Sequence, residues 1–209
     1  MSVIIENQLF PCIDYIKKVS SCKNIKIELY DYFKKMSFRN RFVISGANGL
    51  NSLTIPIAGG REQKTLMQKI IIDKSEDWQK HHWRSLVSAY GSSPFFEHYQ
   101  SSIQSLIFSK QPALFAYNLN VIQWVLQTLN INVEIGFTDC FISEYEQAED
   151  FRNCLLPKNF QENRKDWEPK YAQVFEDRLG FQPNLSIIDL LFCEGPNAKV
   201  LLERSILKE

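Results

Sequence analysis

Three helical patterns follow one another through the middle of this chain, and they constrain the fold more than any other feature. The first covers residues 76–90 and stops at Gly91. The second starts after Pro94 and runs to about Phe108. The third covers residues 113–129, with Leu114, Asn118, Val121, Ile122, Val125 and Leu129 on one face. Apolar residues at three- and four-residue spacing place one stripe of each helix against a core. That core has to include a sheet, because the flanking segments change period. Val3–Ile5 is a short β-rich run, and Ile25, Ile27 and Leu29 alternate with Lys26 and Glu28. Residues 42–45 and 53–57 are two further β-rich runs. Gly46-Ala47-Asn48-Gly49 between them gives a hairpin-turn signal, because Asn-Gly tolerates positive φ. Residues 69–73 and 132–137 have strand character as well.

The remaining helices are bounded by proline and glycine. Pro11 opens one, where its missing N–H would lack a helical partner in any case. Gly195-Pro196 ends a helix containing Asp189 and starts the last one, which runs to about Arg204. Residues 138–168 are polar and irregular, with Pro157 among them. The expected fold is α/β: a mixed sheet from the N-terminal third, packed with a helical middle and C-terminal helices. One domain spans residues 1–209, with 138–168 as an irregular loop region.

Charge narrows the partners. Lys plus Arg number 24 and Asp plus Glu number 24, so the formal net charge is zero. Bulk electrostatic binding to nucleic acid is not expected. The N-terminus lacks a positive segment followed by a long apolar run, and no stretch approaches the roughly 18 apolar residues of a membrane span. Cys12, Cys22, Cys140, Cys154 and Cys193 are odd in number and show no Cys-x-x-Cys spacing. Reduced thiols and a cytoplasmic location are the expectation.

Candidate chemistry is sparse. On a wheel of residues 78–90, Trp83, Leu86, Val87 and Tyr90 form a stripe facing the core. His81 falls opposite that stripe and His82 at its edge. A histidine at such a boundary can meet a pocket as a general acid or base, or serve as a structural bond to backbone or a carboxylate. Adjacent histidines diverge by about 100° on a helix and have no partner pattern, so no metal site is expected. Arg39 and Arg41 share one face of an extended chain, with Asn40 on the other. Two guanidiniums at that spacing can clamp a phosphate or carboxylate. The alternative is a solvated loop. Gly46, Gly49, Gly59 and Gly60 do not form a phosphate cradle, and no Gly-x-Ser-x-Gly elbow occurs. Asp189, flanked by apolar residues, has capping-box spacing from Ser186 and could otherwise be a buried base. Tyr171 and Gln173 precede Phe175 at near-helical spacing and are polar groups fit to line a pocket or simply to pack. No cofactor motif appears, so no cofactor is expected.

Several blocks in order resemble the WbqC-like protein family. They are Leu9-Phe10-Pro11-Cys12-Ile13-Asp14-Tyr15-Ile16, Ser37-Phe38-Arg39-Asn40-Arg41, Trp78-Gln79-Lys80-His81-His82-Trp83-Arg84 and Tyr90-Gly91-Ser92-Ser93-Pro94-Phe95-Phe96. His98-Tyr99, Tyr171-Ala172-Gln173-Val174-Phe175 and Pro183-Asn184-Leu185-Ser186-Ile187-Ile188-Asp189-Leu190-Leu191-Phe192, with Gly195-Pro196, complete the set. The pattern is most similar to the branch found in Bacteroidetes. His82 matches the histidine before Trp in the family pattern, and His81 is extra. Many members carry His-Gln-Pro before the Phe-Pro, where this chain has about Ile5, Glu6 and Asn7.

The resemblance implies a place in bacterial surface-polysaccharide synthesis of the O-antigen type. It leads to the expectation of a transferase-like enzyme acting on an activated sugar or sugar-linked precursor. The alternative is a non-catalytic binding or scaffold protein in the same pathway. Arg39, Asn40, Arg41, Tyr171 and Gln173 would bind a small-molecule or sugar-phosphate ligand, and His82 and Asp189 would be the catalytic candidates. The oligomeric state stays open.

Overall fold

The structure is a computed structural model that describes residues 3–59, 64–146, 148–162, 167 and 169–207. Gly60, and residues 147, 163–166 and 168 of the irregular region, lie outside the described residues.

Four parallel strands form the main sheet. They are β1 (Val3–Ile5), β2 (Asn24–Ile27), β5 (Glu134–Phe137) and β6 (Glu149–Asp150), in the order β5-β2-β1-β6. In register, Val3 meets Ile25, Ile5 meets Ile27, and Ile25 and Ile27 meet Ile135 and Phe137. Side chains alternate along a strand, so Val3, Ile5, Ile25 and Ile27 share one face, and all four are buried in the core. The opposite face carries Ile4, Lys26, Gly136 and Asp150. Successive strands step outward from β1 to β2 to β5, and the chain then returns to the other side of β1 for β6. The strand order therefore reverses beside β1, and ligands of open parallel sheets bind at the carboxyl edge of such a reversal.

The connections explain the helices. α1 (Ile13–Ser20) is the crossover from β1 to β2. Its first turn is held from far away in the chain: Asn184 Oδ1 accepts the Asp14 N–H at 2.8 Å. Between β2 and β5 the chain forms an antiparallel hairpin, β3 (Arg41–Gly46) and β4 (Gly49–Thr54). It then forms α2 (Trp78–Tyr90), α3 (Phe96–Ile107) and α4 (Leu114–Thr128). At the hairpin tip Gly46 pairs with Gly49, whose φ of 119° suits glycine. The chain ends in α5 (Glu176–Leu179), α6 (Ile187–Glu194) and α7 (Asn197–Ile206). The α/β class is as expected. The large sheet is parallel, with two strands from the N-terminal third and two from beyond residue 130.

Four local expectations differ from the structure. Residues 69–73 make no ladder. A 3-10 turn covers Met67–Lys69, and Ile72 and Ile71 each form one isolated bridge, to Ile57 and Ala113. The β-branched run is stitched between two neighbours instead of lying along either. Tyr171 and Gln173 precede α5 and are not helical. Ser186 and Asp189 make no capping box: the Ser186 hydroxyl donates to the Phe10 carbonyl at 2.8 Å.

The fourth difference is the rotation of α2. Its buried row is Trp78, His82, Leu86, Ala89 and Tyr90, while Val87 is 41% exposed and Trp83 is partly buried. The row begins one turn earlier than hydrophobicity alone suggests. His82 can be buried because a backbone carbonyl receives its ring N–H and aromatic rings surround it.

Tyr117 on α4 is a built-in test of burial energetics. Its hydroxyl is buried without a partner among the described residues, and burial pushes the phenol upward in pKa. An unpaired buried hydroxyl costs roughly 1–3 kcal/mol. Tyr117→Phe is therefore expected to leave urea stability unchanged or to raise it by about 1 kcal/mol.

Candidate functional site

The carboxyl edge of the parallel sheet collects charge. Polar residues follow the strands: Glu6, Asn7 and Gln8 directly after β1, Glu28 after β2, Thr138 after β5, and, beyond Phe151, Arg152 and Asn153 after β6. Backbone bonds continue the sheet register into this edge, from Glu28 N to Ile5 O, Thr138 N to Ile27 O and Phe151 N to Ile4 O.

Glu6 sits at the reversal point. Its Oε1 accepts from Gln8 Nε2 at 2.7 Å and its Oε2 from the Asn153 N–H at 2.6 Å. Burial raises its pKa above the ordinary carboxylate range, and the nearby Arg39 guanidinium offsets this in part. Arg39 is 1% exposed. Its guanidinium pairs with Asp31 and donates to Tyr32 O and Asn153 Oδ1 at 3.3 and 3.4 Å. One buried cation thus lies between two carboxylates, with Asn153 touching both sides of the cluster. Asn153 has a φ of 58°, and Phe10, just beyond the Glu6 loop, has a φ of 37°. Left-handed non-glycine residues of this kind concentrate at functional loops.

A second guanidinium closes the other half of the edge. Arg152 donates to Glu28 at 2.9 Å and bidentately to Asp150 at 2.9 and 2.6 Å. It also donates to the Ile142 and Ser143 carbonyls, and the rings of Phe141 and Tyr145 lie about it. Thr138 donates to Glu28 at 2.9 Å. Arg152 therefore straps residues 141–145 onto the sheet edge.

The residues singled out in the sequence fall into three places. Arg39 belongs to the edge cluster. Asn40 holds the chain beside it, donating to Ile55 O at 2.8 Å. Arg41 begins β3; its Nε is buried without a partner among the described residues, and burial lowers its pKa. His82 lies elsewhere, under the hairpin. It is 2% exposed, donates from Nε2 to Thr54 O at 3.1 Å, and packs edge-on against Phe42 and Trp78. Among the described residues its partners do not overlap with those of Arg39.

Asp189, Tyr171 and Gln173 do come together, around α6. Asp189 accepts from Tyr90 at 2.5 Å and Tyr171 at 2.7 Å, and Gln173 donates to the Tyr171 oxygen at 3.1 Å. Burial raises the Asp189 pKa to about 6, against the two hydroxyls that lower it. Gln173 also exchanges two bonds with the backbone of Gln182. The trio ties residues 171–182 to the core.

Desolvation of His82 makes a pH prediction. Burial lowers its pKa from 6.5 to about 4. Between those values the unfolded chain binds the proton and the folded chain resists it, so this group costs stability as pH falls from 6.5 to 4. The loss is about 3 kcal/mol. His82→Phe is expected to remove that share of acid sensitivity, read as urea midpoints at pH 7 and pH 4.5.

Sequence reasoning missed Glu6, Gln8, Glu28, Asp31, Arg152 and Asn153. For Glu6, Gln8 and Glu28 the signal was position, just after a β-rich run, which matters only once the strands are known to be parallel; Asp31, Arg152 and Asn153 carried no such signal, the last two because β6 has no apolar pattern.

Concavities are found elsewhere on the molecule. The open one between the hairpin tip and α2 has a volume of 510 Å³ and is lined by Asn48, Asn51, Arg84, Ser85 and Ser88 among others. Arg84 is its single charged residue. Among the described residues there is no group of three or more His, Cys, Asp or Glu side chains placed to hold a metal ion. No helix of the described residues is long and apolar enough to cross a membrane. All five cysteines are free thiols.

The fold and its edge define a class: an α/β protein with a parallel sheet whose strand-order reversal carries a buried acid–guanidinium cluster. The chain belongs to the WbqC-like protein family, whose model matches residues 7–150 and 142–200. It is 25% identical over 199 residues to the Mycobacterium tuberculosis protein Rv1507c, across 81% of this chain and 84% of that protein. No solved structure matches the chain.

Proposed function

We propose that the chain is a transferase-like enzyme of bacterial surface-polysaccharide synthesis, of the Bacteroidetes-type branch, acting on an activated sugar or sugar-linked precursor. The observation that carries this reading is the Glu6–Arg39 cluster at the reversal between β1 and β6. A carboxyl group whose pKa is raised by burial suits a general acid or base near neutral pH. Glu6 takes that role. Arg41, desolvated and with an unpartnered Nε, holds the anionic group of the ligand, and Arg39 and Asn40 fix the loop that presents it. His82 supports the hairpin behind that loop, and Asp189 with Tyr171 and Gln173 supports the far side of the core. The free thiols suit a cytoplasmic protein.

Isothermal calorimetry with nucleotide sugars tests this reading. Charge-assisted bonds contribute about 1.5–3 kcal/mol, so Arg41→Ala should weaken binding roughly 10- to 150-fold. Glu6→Gln should retain binding and lower turnover about 100-fold or more. Equal affinity of wild type and Arg41→Ala rejects the site. The rival, a non-catalytic binding or scaffold protein, draws support from the internal partners that Glu6 and Arg39 already hold, Gln8 and Asn153 on the first and Asp31 on the second. Binding without turnover, unchanged by Glu6→Gln, favours it.

A further inference from the structure

The β5–β6 crossover, residues 138–148, carries the chain from one edge of the parallel sheet to the other, across β2 and β1. Parallel crossovers are usually helices, which fill the face they cover. Here none of the described crossover residues is helical. Arg152 fastens it by donating to the Ile142 and Ser143 carbonyls at 2.8 and 3.3 Å. Between the crossover and the sheet lies an open cleft of 270 Å³. Ile4 of β1 and Lys26 of β2, paired in register on the face away from the core, both line it. So do Thr138 and Tyr145, which lead to the carboxyl-edge cluster. Thr138 donates to Glu28 Oε1 at 2.9 Å, and the Tyr145 hydroxyl reaches Glu28 Oε2 at 3.5 Å. Glu6 follows Ile4 by two residues along the same strand, about 7 Å at the rise of a parallel strand. The cleft is therefore continuous with the edge where ligands of open parallel sheets bind.

The lining narrows the ligand. Lys26 and Asp139, both exposed, bring one charge of each sign. The charges balance, so the cleft suits a neutral group better than a phosphate. Ile4 and Ile142 offer apolar surface, and Thr138 and Tyr145 offer hydroxyls. Apolar surface beside a few polar groups that fix orientation matches a sugar ring, which has C–H faces and a rim of hydroxyls. A nucleobase would call for an open aromatic face, and the Tyr145 ring already holds the Arg152 guanidinium 5.0 Å from its centre. The volume lies just below the roughly 300–1,000 Å³ of pockets for drug-sized ligands, so one ring fits and a whole nucleotide sugar does not. We infer that this cleft is the subsite for the glycosyl ring of the ligand, with Lys26 and Asp139 as its specificity-determining residues. The inference rests on the activated-sugar reading above and deepens it, dividing the ligand between Arg41 for the anion and the crossover cleft for the sugar.

Cys140 lines the cleft and its thiol is free and exposed, so it reports occupancy. Cys22, between α1 and β2 at the opposite end of the strands, is the internal control. Alkylation by N-ethylmaleimide, read peptide by peptide in a mass spectrometer, is run with saturating UDP-glucose, GDP-mannose or dTDP-glucose and with each free diphosphate. At least one nucleotide sugar is expected to slow Cys140 at least tenfold, its diphosphate to leave Cys140 unchanged, and neither to affect Cys22. Calorimetry adds the second readout: Lys26→Ala and Asp139→Asn, at exposed positions that the fold tolerates, should each lower nucleotide-sugar affinity about tenfold and leave diphosphate affinity unchanged. A nucleotide sugar that binds while Cys140 reacts at its free rate and both variants keep full affinity overturns the subsite, and the activated-sugar reading stands. Equal protection of Cys140 by the diphosphate alone also overturns it, because the cleft then holds the nucleotide part. No binding of any nucleotide or nucleotide sugar overturns that reading and the subsite with it.

Discussion

Replacing Arg39 with alanine is expected to destabilise the fold by about 3–5 kcal/mol, because it strands the buried Glu6 carboxyl and removes the partner of the half-buried Asp31. Glu6 and Asp31 face this guanidinium from two loops, and Glu6 is buried with its pKa already raised by desolvation. Without the cation, either a charge stays unpaired in low dielectric or a proton must be taken up. For a chain of this size the loss corresponds to a drop of roughly 10 °C or more in melting temperature. Arg39→Lys should recover only part of it. A lysine restores one charge, but a single ammonium cannot span Asp31, the Tyr32 carbonyl and Asn153 as the planar fork does. Thermal melts of both variants give the answer. An alanine variant within 1 kcal/mol of wild type would show that the cluster is solvated and carries no buried charge.

The second large effect is a change in pH profile on removing Asp189. Its folded pKa, about 6, lies above the ordinary value of 3.8. Between those values the folded state binds the proton more tightly than the unfolded state. Its contribution is therefore fully present below 3.8 and is lost as pH rises through 6, by about 3 kcal/mol. His82 runs the other way over nearly the same window, losing stability as pH falls from 6.5 to 4. In the wild-type protein the two slopes oppose each other. Asp189→Asn removes one of them, and its side chain can still accept one tyrosine hydroxyl. That variant should therefore lose about 4–8 °C in melting temperature between pH 7 and pH 4.5 relative to the wild-type change. Identical profiles would show that Asp189 stays ionised at both pH values.

Much of the fold was legible because it rests on local periodicity. The three middle helices, α1 behind Pro11, the hairpin at Gly46–Gly49 and the Gly195-Pro196 break are all written in short-range patterns. Strand pairing is not. β6 is two residues long, Glu149 and Asp150, with no apolar signature, yet it creates the reversal beside β1. Without β6, nothing marks Glu6 or Asn153 as neighbours. Arg39 stood out as concentrated charge and does belong to the edge cluster. His82 stood out as an edge residue and is buried in the middle of the α2 row. Its burial depends on Thr54 O and the Phe42 ring, which come from another element. Asp189 looked like a cap because Ser186 lies at the right spacing. The tyrosines that claim it come from 99 and 18 residues away, beyond the reach of any local pattern.

Hydrogen–deuterium exchange with and without a saturating nucleotide sugar tests the location of the site most directly. The account predicts slower exchange in peptides covering residues 4–10, 28–41 and 149–155, the loops that leave β1, β2 and β6 at the carboxyl edge. Residues 46–51 and 84–89, around the hairpin concavity, should exchange as in the free protein. Protection confined to the hairpin and α2, with the carboxyl edge unchanged, would contradict it.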